Sequence, residues 1–217
     1  MTDPDPDPDT DLEGAYALRT TEDAKRLYAS WAATYDADFV ADMDFVAPMR
    51  IAEAFHAKGG QRPVLDFGAG TGALGVELAR LGVGPIDALD LSAEMLAVAQ
   101  GKNVYRTLIE GNLLDGLALA QRYSGIVSSG TFTHGHAGPE ALEALLGVAA
   151  PGALIVVSIN QEHYQTAGFE AAFDALSDRI DALDLTEFRM YGPRAEGPHK
   201  DDMGLIASFT TPLLDDV

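Results

Sequence analysis

A glycine-rich run follows a short apolar segment, and it constrains the fold more than any other feature of the sequence. Residues 63–67 read PVLDF, residues 68–72 read GAGTG, and residues 73–81 then have the spacing of a helix. Glycines at a strand-to-helix turn let the backbone bend tightly and let a ligand approach without a Cβ in the way. In an open parallel sheet, ligands bind at the carboxyl ends of the strands. The run therefore predicts a ligand site at the end of the first strand.

Strand-like and helix-like segments alternate along the rest of the chain. Apolar runs predict strands over 63–67, 85–91, 103–109, 124–129, 153–159, 185–191 and 204–210. Helical spacing predicts helices over 21–57 with a break at Pro48, 73–81, 92–100 with Ser92 as N-cap, 139–148 with Pro139 in its first turn, and 168–183. Pro151-Gly152 predicts a turn before the fifth strand. Such alternation, closed by two consecutive strands, predicts one α/β domain with a mostly parallel sheet.

The composition narrows the class of partner. The chain has 14 basic and 34 acidic residues and a formal net charge of −20, so nucleic acids and anionic membranes are disfavoured as partners. No apolar run approaches the roughly 18 residues of a membrane-spanning helix, and the N-terminus lacks the features of a secretory signal. The absence of cysteine excludes disulfides, zinc–thiolate sites, iron–sulfur clusters and thiol catalysis. We therefore expect a cytoplasmic, metal-independent protein that is a monomer or a homodimer.

Asp90 ends the second predicted strand, 20 residues after Gly70. That spacing suits a carboxylate that accepts hydrogen bonds from both hydroxyls of a ribose. The alternative is that the glycines only form a turn and that Asp90 caps the following helix.

The same run also fits the dinucleotide fingerprint G-x-G-x-x-A through Gly68, Gly70 and Ala73, which would indicate an NAD(P)-dependent oxidoreductase. Asp66 argues against that interpretation, because it places a carboxylate close to where a pyrophosphate would lie. About 60 residues also precede the first strand, whereas dinucleotide domains commonly begin with it. The sequence therefore favours a cationic nucleoside ligand.

These motifs together resemble those of the class I S-adenosylmethionine-dependent methyltransferases. The loop D-x-G-x-G-x-G is present at residues 66–72, an acidic second-strand end at residues 89–96, and the turn before strand five at residues 151–152. The resemblance implies a single Rossmann-like, doubly wound α/β sheet of seven strands in the order 3-2-1-4-5-7-6, with strand 7 antiparallel. Residues 28–36 and 129–136 are similar to a small-molecule subgroup that includes relatives of the Williams–Beuren-region methyltransferase-like protein.

The resemblance implies S-adenosyl-L-methionine as cofactor and in-line methyl transfer to a small-molecule acceptor. A third interpretation is a non-catalytic nucleotide-binding or regulatory domain that keeps the pocket without turnover. The cofactor-binding residues that the resemblance implies are Asp66, Gly68 and Gly70 for the methionine portion, Asp90 for the ribose, Leu91, Met95, Asn112 and Leu113 for the adenine, and Ser128 and Ser129 beside the transferred methyl group.

Tyr28, Trp31 and Tyr35 have the spacing i, i+3 and i+7, which puts them on one face of a helix. Such a stripe is usual in a hydrophobic core. The functional alternative is a lid over the cofactor, with tyrosine hydroxyls reaching its carboxylate and aromatic faces attracting the sulfonium. We accordingly divide the chain into a disordered acidic Asp-Pro tail over 1–14, a helical lid region over 15–62 and a cofactor-binding core over 63–217.

Three histidines, His134, His136 and His163, follow the fourth and fifth predicted strands. Histidine titrates near neutral pH, so these side chains are candidates for acceptor binding or proton removal, with His136 first. The alternatives are loop histidines without a role, or a metal pair formed by His134 and His136. No third ligand has an obvious spacing, so we predict no metal.

Overall fold

One seven-stranded sheet organises the computed structural model, which describes residues 21–41 and 43–213. The predicted tail over 1–14 lies outside the described residues. The strands are β1 Val64–Phe67, β2 Ile86–Asp90, β3 Thr107–Glu110, β4 Tyr123–Phe132, β5 Ala149–Asn160, β6 Asp181–Arg189 and β7 Met203–Thr210. Their order is β3-β2-β1-β4-β5-β7-β6, and β7 is antiparallel to both β5 and β6. The other neighbouring pairs are parallel. The predicted Rossmann-like topology is confirmed.

Helices connect the strands and cover both faces of the sheet. They are α1 Thr21–Trp31, a short π-helix Asp36–Ala41, α2 Ala47–Ala57, α3 Ala73–Arg80, α4 Ala93–Gly101, a 3-10 turn Leu113–Asp115, α5 Glu140–Val148, α6 Gln161–Ala167 and α7 Phe169–Ala175. Ser92 caps α4 as predicted, because its Oγ accepts a hydrogen bond from the Met95 N–H over 3.1 Å. Pro48 lies in the first turn of α2, where its missing N–H breaks no helical hydrogen bond.

The helix predicted over 168–183 is wrong in its C-terminal half. Gly168, at φ +86°, separates α6 from α7, and α7 ends at Ala175. Residues from Asp181 onward belong to β6 instead. This strand lies at the edge of the sheet and is exposed along nearly its whole length, so it lacks the alternation that marks a half-buried strand.

The predicted turn at Pro151-Gly152 lies inside β5. Tyr123 of β4 pairs with Ala149, whereas Gly125 pairs with Leu154, so β5 carries extra residues between the two pairs. Pro151 is tolerated in this bulge, because an unpaired position of a strand needs no N–H donor. The bulge also accommodates Gly152, whose φ is +72°.

The two faces of the sheet form separate hydrophobic clusters. Alternate side chains of β1 contact them, with Val64 in the cluster of α2 and α3 and Leu65 in the cluster of α5 and α7. A parallel sheet of this kind is buried on both faces. Because β1 lies between β2 and β4, the carboxyl ends of these strands meet where the strand order reverses, and ligands bind at such a point. Within the described ranges, no helix is both long and apolar enough to cross a membrane.

Candidate functional site

A cavity of about 1160 Å³, including its open mouth, lies at the carboxyl ends of β1, β2 and β4. We call it the main cavity. The sequence-predicted residues on its lining are Tyr28, Tyr35, Gly68, Gly70, Asp90, Leu91, Met95, Asn112, Ser129 and His136. These residues are far apart in the sequence, and the fold brings them together around one cavity.

Asp90 is fixed between the glycine loop and the start of α4. Its Oδ2 accepts a hydrogen bond from the Gly70 N–H over 2.7 Å, and its Oδ1 accepts one from the Ser92 N–H over 2.9 Å. Burial raises the pKa of Asp90, while these backbone hydrogen bonds act in the opposite direction. Each carboxylate oxygen has a second lone pair, so Asp90 can still accept one hydrogen bond on each oxygen. That arrangement suits two adjacent hydroxyl groups.

Gly70 leaves open space above the loop. Its φ is +53°, a conformation that favours glycine, and a Cβ built on it would meet no atom within 4 Å. Gly68 is different, because a Cβ there would lie 2.0 Å from Thr131 Oγ1. Close packing against β4 therefore requires glycine at residue 68, and the backbone conformation requires it at residue 70.

Asp66 is fully buried next to the lining residues Phe67 and Gly68. Its Oδ2 accepts a hydrogen bond from the Tyr105 hydroxyl over 2.6 Å, whereas its Oδ1 has no hydrogen-bond partner within the described part of the chain. Burial, together with the charge of Asp90, raises the pKa of Asp66 to about 7. An unsatisfied buried carboxylate oxygen is a group that a nearby cation would stabilise.

Several sequence-predicted residues lie off the main cavity, because the fold uses them for packing. They are Trp31, Asp66, Leu113, Ser128, His134 and His163. Leu113 is buried in the core, and its neighbour Leu114 lines the cavity instead. The Ser128 hydroxyl donates to the Phe67 carbonyl over 2.6 Å and ties β4 to β1. Buried His163 contacts the Ala137 carbonyl through Nε2 at 3.1 Å.

Tyr28 and His136 both line the main cavity and are in contact with each other. His136 Nδ1 lies 2.8 Å from the His134 carbonyl oxygen, which can only accept, so Nδ1 carries the proton. His136 Nε2 therefore accepts the hydrogen bond from the Tyr28 hydroxyl, over 2.9 Å. Burial lowers the pKa of His136, so the imidazole is neutral at pH 7. The lid interpretation aimed the Tyr28 hydroxyl at a cofactor carboxylate, and here it is bonded to His136.

Sequence reasoning missed the residues that hold the N-terminal segment over the glycine loop. The Thr71 hydroxyl donates to Asp36, and Lys102 Nζ lies 2.6 Å from the other oxygen of that carboxylate. Lys25 of α1 also lines the main cavity and pairs with Glu110 at 3.2 Å. These contacts join distant parts of the chain, and no local pattern marks them. No cluster of three or more metal-ligating side chains occurs among residues 21–41 and 43–213.

A second, smaller space adjoins the main cavity beside α1. We call it the aromatic chamber, and its lining residues are Tyr28, Trp31, Tyr35, Phe39, Phe45, Gly130, Thr133, His136, Met190 and Tyr191.

Comparison with known proteins gives a match to one family model over part of the chain. Residues 64–152, which are less than half of the chain, match the family model described as a methyltransferase domain. This range contains the glycine loop, Asp90 and the histidine pair that follows β4. No curated protein matches the sequence.

Solved structures share the fold at low sequence identity. The N-methyltransferase NodS from Bradyrhizobium japonicum WM9, in complex with S-adenosyl-l-homocysteine, is 15% identical with a TM-score of 0.65, covering 85% of this chain and 96% of its own. The magnesium protoporphyrin IX methyltransferase ChlM from Synechocystis PCC 6803, with bound SAM, is 20% identical with a TM-score of 0.63, covering 90% and 98%. A putative RNA methyltransferase from Pyrococcus horikoshii is 14% identical with a TM-score of 0.58, covering 77% and 85%. The names of these three proteins point to different methyl acceptors, so the shared fold does not specify the acceptor.

Proposed function

We propose that the chain is a class I S-adenosylmethionine-dependent methyltransferase that methylates a small-molecule acceptor by in-line transfer. The observation that carries the proposal is the Tyr28–His136 hydrogen bond, which joins α1 to the loop after β4 at the wall of the main cavity. The hydrogen bond from the Thr71 hydroxyl to Asp36 is a second contact between the N-terminal segment and the core. A cavity covered in this way suits an acceptor small enough to be enclosed, and the acidic chain disfavours a polyanion.

The residues of the main cavity fit S-adenosylmethionine. Asp90 would accept the ribose hydroxyls, and Gly68 and Gly70 would lie beside the methionine portion. Asp66 has a free carboxylate oxygen for a cation, and Ser129 has a buried hydroxyl without a partner among the described residues. The remaining contacts that we propose are those of the adenine, to Leu91, Met95 and Asn112, which all line the cavity.

When bound, S-adenosylmethionine supplies a methyl group on a positively charged sulfur, which is already a good leaving group. The residues around the cavity then have two tasks, to align the acceptor and to exclude water. Alignment alone can lower a barrier by about 7–11 kcal/mol. His136 has an unprotonated Nε2 at the cavity wall, so it is the residue that would remove a proton from the acceptor.

Buried Asp66 weighs against the alternative of an NAD(P)-dependent oxidoreductase, since a pyrophosphate at the glycine loop would lie close to this carboxyl group. A non-catalytic domain would bind S-adenosylmethionine without turnover.

The size of the acceptor can be tested by fractionating a cell lysate with an ultrafiltration membrane. Purified protein and S-adenosylmethionine are added to the filtrate and, separately, to the retained macromolecules, and S-adenosylhomocysteine is measured. We expect production with the filtrate alone, and less with the Asp90→Ala variant at a subsaturating concentration of S-adenosylmethionine. Production with the retained fraction alone would contradict a small-molecule acceptor, and no production with either would favour the non-catalytic domain.

A further inference from the structure

The aromatic chamber has a volume of about 450 Å³, including its open mouth. Tyr28, Tyr35, Phe45, Gly130 and His136 line both this chamber and the main cavity, so the two spaces share a boundary. A molecule in the chamber would therefore meet one in the main cavity at the Tyr28–His136 pair.

The described lining of the chamber contains no aspartate, glutamate, lysine or arginine. Its titratable side chains are uncharged near neutral pH, since burial raises the pKa of Tyr28 and Tyr35 and lowers the pKa of His136. Moving a charged group into such surroundings is unfavourable unless a partner charge compensates it. The chamber therefore favours an uncharged occupant.

Aromatic rings surround the space at steep angles to one another. The rings of Trp31 and Tyr35 have centroids 5.0 Å apart and planes at 82°, and those of Phe45 and Tyr191 are 5.7 Å apart at 45°. Rings arranged in this way offer both faces and edges to an inserted planar ring, and each such contact contributes about 0.5–1.5 kcal/mol beyond buried area. A planar aromatic occupant fits this lining best.

Two polar atoms of the lining have hydrogen-bonding capacity to spare. The Tyr28 oxygen donates to His136, and the described residues provide no donor to its lone pairs. The Trp31 indole N–H is buried and has no partner within the described ranges. An occupant with a hydroxyl group to donate and a second oxygen to accept would satisfy both atoms.

We propose that the aromatic chamber is the acceptor site, and that the acceptor is an uncharged aromatic molecule that is methylated on a ring hydroxyl. This inference rests on the proposed function. The acceptor hydroxyl donates to the Tyr28 oxygen, which itself donates to His136 Nε2. As the bond between the hydroxyl oxygen and the methyl carbon forms, the carbon–sulfur bond breaks and its electrons remain on sulfur. The hydroxyl proton passes to Tyr28 while the Tyr28 proton passes to His136, which later releases it to solvent.

A ring hydroxyl suits the base that the structure provides. Buried His136 is a weaker base than an exposed histidine, because burial lowers its pKa. A phenol has an ordinary pKa of about 10 and is far more acidic than an aliphatic alcohol. Proton transfer to a weak base is therefore easier from a phenol as the methyl group arrives.

Trp31 provides a direct readout of the chamber, because it is the only tryptophan of the chain. We would titrate the full chain, saturated with S-adenosylmethionine, with methyl 4-hydroxybenzoate and follow tryptophan emission and S-adenosylhomocysteine. Two matched probes are 4-hydroxybenzoate, which is anionic, and methyl 4-hydroxycyclohexanecarboxylate, which lacks the aromatic ring. We expect saturable changes in emission and turnover with the aromatic ester, and binding at least about tenfold weaker with either matched probe.

Variants test the two polar atoms. Tyr28→Phe should lower kcat for the ester about 100-fold at saturating S-adenosylmethionine, since it removes the proton path and keeps the ring. Trp31→Phe should raise KM for the ester about tenfold. Leu183→Ala, on exposed strand β6, is the control and should match the wild type.

The outcomes separate this inference from the proposed function. If S-adenosylmethionine does not bind, the proposed function fails and this inference fails with it. If the cofactor binds but the ester leaves Trp31 emission unchanged, or if the anion binds as well as the ester, the acceptor class is wrong. Wild-type turnover by Tyr28→Phe would overturn the proton path.

Discussion

The backbone N–H of Gly70 donates to the Asp90 carboxylate over 2.7 Å, which joins the loop after β1 to the end of β2. Residues 20 positions apart in sequence thus form one binding surface. The hydrogen bond orients the carboxylate towards the main cavity before any ligand arrives, so the ligand need not order it. Asp90 is therefore the residue on which cofactor affinity should depend most.

Replacing Asp90 by alanine should weaken S-adenosylmethionine binding. The loss removes two charge-assisted hydrogen bonds, each worth about 1.5–3 kcal/mol, so affinity should fall at least tenfold. Titration calorimetry measures the affinity, and a thermal melt checks the fold. Asp178→Ala, which removes an exposed carboxylate in the turn between α7 and β6, is the matched control. Equal affinities of the Asp90 variant and the control would remove Asp90 from the site.

Asp66→Asn should change how the stability of the ligand-free protein depends on pH. The folded pKa of Asp66 is raised to about 7, so between pH 4 and pH 7 the folded state holds more protons than the unfolded state. Ionisation of Asp66 therefore lowers the free energy of unfolding as the pH rises through that window. The loss reaches about 4 kcal/mol above pH 7. Asparagine stays neutral and can still accept from Tyr105, so the variant should melt higher than the wild type at pH 8. A lower melting temperature at that pH would contradict the account.

The sequence predicted much of the site because its key residues are local. The glycine loop and Asp90 follow directly from strand ends, and the cap Ser92 precedes its own helix. The contacts of Asp36 with Thr71 and Lys102 could not be predicted, because they form only through tertiary packing. The same applies to the Tyr28–His136 bond, which joins residues 108 positions apart. The strand predicted over 185–191 is confirmed in β6, but the first residues of β6, from Asp181, were predicted as helix, since an edge strand without a buried face has no period-2 pattern.

His136→Ala should lower turnover much more than it lowers S-adenosylmethionine affinity, about 100-fold or more in kcat. Because burial lowers the pKa of His136, the rate should fall only when the pH drops below the ordinary histidine value of about 6.5. Stopped-time assays of S-adenosylhomocysteine across pH would measure both effects. An unchanged kcat would make His136 a bystander.

His163→Ala should act on stability instead. His163 is buried, packs on Phe169 with ring centroids 5.3 Å apart and contacts the Ala137 carbonyl. Its removal leaves a cavity and an unpaired carbonyl, which together cost about 2–4 kcal/mol. Thermal melts of the alanine variants of His163 and His134 and of the wild type measure this loss of stability. We rank His134 second, after His136, for loss of turnover, because both lie in the loop that follows β4.

Deletion of residues 1–14 should leave both the melting temperature and the cofactor affinity unchanged. The segment alternates aspartate and proline and offers almost no apolar surface to bury. A chain that begins at Ala15 is compared with the full chain by thermal melt and calorimetry. A large loss in either quantity would show that the segment binds to the domain.

Calorimetric titration of the full chain with S-adenosylmethionine, and separately with NAD⁺ and NADH, tests the central claim most directly. The Gly70–Asp90 surface, the unpartnered oxygen of Asp66 and the match of residues 64–152 to a methyltransferase-domain model predict saturable binding of S-adenosylmethionine and no heat with either dinucleotide. Binding of NAD⁺ or NADH in the absence of any binding of S-adenosylmethionine would contradict the account.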